Sequence, residues 1–247
     1  MVERVRDDTG VVLRMLPGED EARYTFLAAR RWFGWSAGRL LVVDIGGGSL
    51  ELAAGRDEDP DVAESLPLGA GRLTRDSFTS DPPSSREIAA LAERIEPAVA
   101  AVADRVCAAG AADCVVGTSK TLRSLARLTG AAPSGAGPRV PRVLTAEGLH
   151  QLLAFISRMA SRDLAELDGV SPRRAHQLVA GGLVAAATMR ALGVPRLEIC
   201  PWALREGVIL RRLDTLNGTA GLRTAATVDG VRLPADIGDD GRRPGTF

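Results

Sequence analysis

Lysine and asparagine are almost missing from this chain of 247 residues: Lys120 and Asn217 are the sole examples of each. Arginine therefore carries nearly all the basic charge, a bias that reflects GC-rich coding rather than a folding requirement. Charge of one sign is also lacking, because Lys+Arg and Asp+Glu are 31 each and the net charge is +0. That balance excludes bulk electrostatic attraction to nucleic acid, although a local basic patch survives it. Aromatic residues are only 4%, so Ala, Val, Leu and Ile must fill the core. The three cysteines, Cys107, Cys114 and Cys200, form no CxxC pair, which excludes a disulfide scaffold and a cysteine zinc site. They read as small buried hydrophobes in a reducing compartment. His150 and His176 fall in separate helical stretches without HExxH or clustered carboxylates, and read as surface or satisfied side chains. No apolar run reaches the roughly 18 residues of a membrane span. Glu3, Asp7 and Asp8 among the first arginines argue against a signal peptide, so a cytoplasmic protein is expected. What remains, 45% hydrophobic and 25% charged, is the composition of an ordinary soluble chain able to bury a core in one or two domains.

The element order is informative. Pro17-Gly18 and three acidic residues predict a helix that starts near residue 19, runs to about Trp32 and stops near Gly34. Leu-Leu-Val-Val-Asp-Ile at 40–45 reads as a buried strand, followed by a triple-glycine turn and a second strand, with a third over 62–68. Residues 81–85 predict the cap of a long helix with Leu91, Ile95, Ala98, Val102 and Val106 on one face, ended by Gly110. A short strand at 113–116, a helix to Leu128 and a Pro/Gly-rich loop at 130–141 come next. A helix from Thr145, with Glu147 near a capping box, is then expected. A further helix runs from 171 to about 192, then a strand at 197–200 and a helix from Trp202 to Leu213. Residues from 217 on lack an apolar period and are expected to be a dispensable, poorly ordered tail. Together these elements predict a mixed α/β layer structure.

Asp44-Ile-Gly-Gly-Gly-Ser49-Leu-Glu51 carries the strongest chemical signal. Consecutive glycines let several backbone N–H groups converge on an anion, and strand alternation puts Ser49 and Glu51 on one side. Asp44 and Glu51 beside such a cradle suit Mg2+, which takes oxygen ligands and keeps waters. A tight hairpin with no ligand satisfies the same glycines. Gly117-Thr-Ser-Lys-Thr121 is a second strand-to-helix turn with free N–H groups, without Walker A spacing, and taken alone an ordinary capped helix explains it better. Glu21 near a helix start suits the dipole even without a chemical role, and Arg23 should not share its face.

With Glu19-Asp-Glu-Ala-Arg23, Leu66-Pro-Leu-Gly-Ala-Gly-Arg-Leu73 and Trp202-Ala-Leu-Arg-Glu-Gly207 added, the ordered set resembles the exopolyphosphatase/guanosine pentaphosphate phosphohydrolase (Ppx/GppA) family. It looks closest to the short actinobacterial-type exopolyphosphatases. The resemblance implies a ribonuclease-H-like fold of the actin/Hsp70/sugar-kinase type, with a mixed sheet flanked by helices. It also implies Glu21 as catalytic base, Mg2+ at Asp44 and Glu51, and phosphate at Gly46, Gly47, Gly48 and Ser49. The stretch Gly117, Thr118, Ser119, Lys120 and Thr121 matches the place where relatives bind a nucleoside, with Lys120 replacing a common glycine.

The family opens with a first domain bearing its own strand–glycine-loop motif, and nothing like it precedes Glu19. The expected organisation is therefore a remnant of the first domain with the catalytic helix at 1–36, a second ribonuclease-H-like domain at 37–215, and the tail at 216–247. Either the chain starts at an internal methionine of a longer reading frame or it is a genuine fragment, and alone it should be a weak or inactive hydrolase. The expected substrate is inorganic polyphosphate, with guanosine pentaphosphate as the alternative. A non-catalytic phosphate- or nucleotide-binding remnant is the reading from another class. No nucleic acid or membrane partner is expected, and a homodimer is compatible with the resemblance.

Overall fold

A run of apolar residues buried on both faces makes β1 (Leu40–Ile45) the inner strand around which the chain is laid. The computed structural model describes residues 2–13 and 15–216. The expected tail lies outside these residues. After α1 (Val2–Thr9) and α2 (Gly18–Phe33) come β1, β2 (Leu50–Gly55), β3 (Val62–Leu66), α3 (Ala70–Ser77) and α4 (Ser85–Ala108). Then follow β4 (Cys114–Gly117), α5 (Lys120–Leu128), β5 (Val143–Thr145), α6 (Ala146–Ile156), α7 (Ser161–Leu164), α8 (Leu178–Ala191), β6 (Arg196–Ile199) and α9 (Leu204–Leu216).

The strands form one mixed sheet of order β3-β2-β1-β4-β6-β5. β1, β4 and β6 are parallel, while β2, β3 and β5 are antiparallel to their neighbours. Alternation divides β1 between two cores. Leu41, Val43 and Ile45 join the larger one, with Leu91, Ile95, Val99 and Val106 of α4 and Val179, Ala180 and Val184 of α8. Leu40 and Val42 face the other way, onto Ala22, Phe26 and Ala29 of α2. α2 thus packs directly on the sheet, across the expected boundary at residue 36.

The expected cap within 81–85 is Ser84, which forms a capping box with Glu87 at the start of α4, while Asp81 accepts from the N–H and hydroxyl of Ser161. Other local expectations are corrected. Thr145 caps α6 by accepting from Gly148 N–H at 3.1 Å, so Glu147 stands one residue too early for a box. The helix expected from 171 opens as a 3-10 stretch, Pro172–Gln177, before α8. α3 and β5 were not foreseen. Cys107 is exposed, contrary to the buried reading, whereas Cys200 is buried and both histidines are exposed. No helix among the described residues is long and apolar enough to cross a membrane.

Candidate active site

The register of three strands assembles the acidic cluster. Asp44 pairs with Glu51 across β1 and β2, and Glu51 pairs with Ser65 across β2 and β3. All three fall in the same alternation class as Val42 and Ala53, which face α2. The first turn of α2 lies over this row, because a Cβ on Gly18 would stand only 2.2 Å from Ser65 Oγ. Glu21, one turn in and half-buried, is thereby brought to the same place. Arg23 is exposed and takes no part.

Hydrogen bonds fix the two strand carboxylates. Thr118 Oγ1 donates to Asp44 Oδ2 at 2.5 Å, and Ser65 Oγ donates to Glu51 Oε1 at 3.1 Å. Burial is the main reason that all three acids hold their protons more tightly than usual. For Glu51, only 5% exposed, it drives the carboxyl up to about 7; the charges of Asp44 and Glu21 add, and the hydroxyls of Ser49 and Ser65 oppose. Glu21 is raised by burial and then by Asp44. Asp44 is raised by burial, against the Thr118 hydrogen bond and the charges of Arg123 and Arg174.

The glycine turn is tied down by its carbonyls. Gly46 N–H donates to Ser49 O at 2.9 Å, closing the turn. Ala70 N–H donates to Gly46 O and Arg72 N–H to Gly47 O, at 2.9 and 2.8 Å, and Arg72 Nε donates to Gly48 O at 3.0 Å. These bonds leave the N–H groups of Gly47, Gly48 and Ser49 without a partner among the described residues. Gly69 is demanded by this seat, since a Cβ there would lie 2.2 Å from Gly48 C and 2.3 Å from Ser49 N. Free N–H groups beside a buried acidic row can hold an anion and a cation side by side.

Of the sequence-predicted residues, Glu21, Asp44, Gly46, Gly47, Gly48, Ser49 and Glu51 come together, with Thr118 bound to Asp44. Ser119 caps α5, accepting from Leu122 N–H at 3.2 Å, Thr121 is buried, and Lys120 is exposed beyond them. Sequence reasoning missed Ser65, Gly69, Arg72, Arg123 and Arg174 as site residues; only Gly69 and Arg72 carried a signal, as members of the 66–73 motif.

Among the described residues, no three His, Cys, Asp or Glu side chains, the acidic row included, are arranged so that they could hold a metal ion by themselves. The donor set still suits Mg2+, which is commonly held by one or two carboxylates together with substrate phosphates and waters. Asp44 and Glu51 are two such carboxylates, mutually repelling and adjacent to the anion seat, and a cation would relieve them.

The chain as a whole is similar to known proteins. The model of the Ppx/GppA phosphatase family fits residues 1–216. Exopolyphosphatase 1 of Mycobacterium tuberculosis is 59% identical over 241 residues, which cover 96% of this chain and 70% of that one. A guanosine-5'-triphosphate,3'-diphosphate pyrophosphatase of Aeromonas salmonicida is 27% identical over 197 residues, 80% of this chain and 38% of that one. Among solved structures, the Ppx/GppA family member of Aquifex aeolicus superposes with a TM-score of 0.71 at 28% identity, covering 87% of this chain and 69% of that one.

Proposed function

The chain belongs to the Ppx/GppA phosphatase family, and on that premise we propose that it is an exopolyphosphatase, releasing the terminal phosphate of inorganic polyphosphate by attack of water. The observation that carries this reading is the approach of Glu21, Asp44 and Glu51 to one another beside a glycine turn whose N–H groups at Gly47, Gly48 and Ser49 have no partner among the described residues. The N–H groups of Gly47, Gly48 and Ser49 hold the oxygens of the terminal phosphoryl group, stabilising charge without reorganisation. Glu21 orients the attacking water and accepts its proton; the upward shift of its carboxyl brings it nearer the working pH, where a general base is most effective. Asp44 and Glu51 are the residues that would hold Mg2+, which when bound supplies neutralisation of the phosphate charge. Thr118 and Ser65 keep those two carboxylates in place. Three free thiols suit a cytoplasmic location.

Polyphosphate is preferred over guanosine pentaphosphate because identity to the exopolyphosphatase is 59% and to the guanosine-nucleotide enzyme 27%. The test is phosphate release from medium-chain polyphosphate and from guanosine pentaphosphate, side by side with Mg2+, in the longest natural reading frame containing these residues. Faster release from polyphosphate is expected. Glu21→Gln should lower it by about 10²–10⁴-fold, the usual contribution of a general base, with little change in melting temperature. Release from the nucleotide alone, or full activity in Glu21→Gln, would overturn the proposal.

A further inference from the structure

The connection between α5 and β5 is rich in glycine and proline, yet it is built as one stiff piece. Arg142, just ahead of β5, donates from a single guanidinium to the carbonyls of Ala132, Pro133, Gly137 and Val140, at 2.8, 2.7, 3.0 and 3.0 Å. All four carbonyls belong to the 130–141 loop, so one side chain ties its two arms together. Pro138 and Pro141 restrict the backbone on either side of Arg139. Between them, Arg139 makes no hydrogen bond or ion pair among the described residues.

Its guanidinium lies instead over a side chain of another element. Arg139 Cζ stands 4.4 Å from the centre of the Trp32 ring of α2, well inside the ~6 Å within which an indole face attracts a cation. Trp32 packs in turn on Trp202, just before α9. The stiff loop is therefore anchored on the helix that carries Glu21. That helix rests on the sheet through a short apolar set, Ala22, Phe26 and Ala29. The carboxylates beside Glu21 are held independently of it, Asp44 by Thr118 and Glu51 by Ser65. α2 is one unbroken helix, so a slide or roll at Trp32 is passed along about 16 Å of helix to Glu21. The place of Glu21 over the acidic row thus depends on what fixes Trp32.

We propose that Arg139 is a positioning residue for the reaction: its stack on Trp32 holds the helix that carries Glu21 in register over Asp44 and Glu51. The inference rests on the reading of Glu21 as general base and deepens it, by naming a distant side chain that sets where that base stands. Arg139 acts through Glu21. Its loss removes one lateral support from α2 and leaves the acidic row, the glycine turn and the Arg142 knot as they are.

Arg139→Gln tests this, because the side chain is exposed and its loss leaves the core untouched. With polyphosphate and Mg2+, kcat should fall about tenfold, below the ~10²-fold cost of a misplacement of about 1 Å, while KM changes by less than about twofold. Arg139→Lys, which keeps a cation over the ring, should recover part of that loss. In the Glu21→Gln background, Arg139→Gln should change kcat by no more than about twofold, because the group it positions is gone. Added to Trp32→Leu, it should likewise cost nothing further. An unchanged kcat in Arg139→Gln, a change in KM alone, or an equal loss of kcat with and without Glu21 would overturn the proposal. If Glu21→Gln is impaired while Arg139→Gln is not, only the positioning role falls. If the parent releases no phosphate from polyphosphate, or Glu21→Gln is fully active, the functional reading falls and takes this one with it.

Discussion

Glu51 has an energetic consequence that can be measured without substrate. Its carboxyl is pushed from 4.5 to about 7 in the folded chain, so between those values the folded state keeps a proton that the unfolded state has released. Stability must then fall as pH rises through this window, by about 3 kcal/mol if the whole shift is realised. Glu21 and Asp44, also raised, work in the same direction. In EDTA the melting temperature should therefore be higher at pH 5 than at pH 8. Glu51→Gln should flatten that slope and raise the melting temperature at pH 8. Adding Mg2+ at pH 8 should stabilise the parent more than the variant; an unchanged pH slope in Glu51→Gln would show that the strain lies elsewhere. Asp44 and Glu51 were legible in the sequence because strand alternation and a short turn are local rules. Ser65, Arg123 and Arg174 were not, because only the strand order and the approach of α5 and the 172–177 stretch bring them near. An exposed-looking arginine in a helix says nothing by itself about which carboxylate it will face.

Among the elements, α2 and α9 show how the helix that carries Glu21 is held. α9 approaches so closely that a Cβ on Gly207 would stand 1.9 Å from Tyr24 O. Trp32 of α2 and Trp202, just before α9, pack with ring centroids 5.3 Å apart. Arg31 of α2 joins Asp214 of α9 and Glu58 of the β2–β3 connection through paired hydrogen bonds. The glycine in the 202–207 motif thus reads physically as a contact point between helices. Gly207→Ala should cost about 3 kcal/mol, the upper end for overpacking, seen as a lower urea midpoint. Val208→Ala, on the exposed side of α9, should change it by no more than about 0.5 kcal/mol. α2 itself was legible from its acidic start and from Gly34, which ends it at φ 73. α3 was not, because Ala-Gly-Arg-Leu-Thr-Arg-Asp-Ser has a weak apolar pattern and an early glycine. Its first N–H groups are instead satisfied by the carbonyls of Gly46 and Gly47, a tertiary contact that no local propensity encodes.

At the scale of the molecule, the sheet is covered unequally. The α4 and α8 side carries the larger apolar core, while the α2 side buries a short set, Ala22, Phe26 and Ala29 against Leu40, Val42, Ala53, Val116 and Cys200. Polar staples supplement it: Arg30, fully buried, donates to the carbonyls of Gly34, Gly38 and Gly55 at 3.1, 2.8 and 3.0 Å. Apolar burial scales with area, so α2, which carries Glu21, sits on the face that opens more easily. Native-state hydrogen exchange should show amides of α2 opening at a lower free energy than those of β1 and α8. Arg31→Ala, which removes the clamp to Glu58 and Asp214, should lower the α2 value by about 1–3 kcal/mol and the α8 value by less. Mg2+ together with phosphate at a hundred times their dissociation constant should raise the α2 value by up to about 2.7 kcal/mol, because closed α2 is what completes the acidic site. Exchange of α2, β1 and α8 at one common free energy, with or without ligand, would mean that the two faces unfold together and that Glu21 is held as firmly as the core.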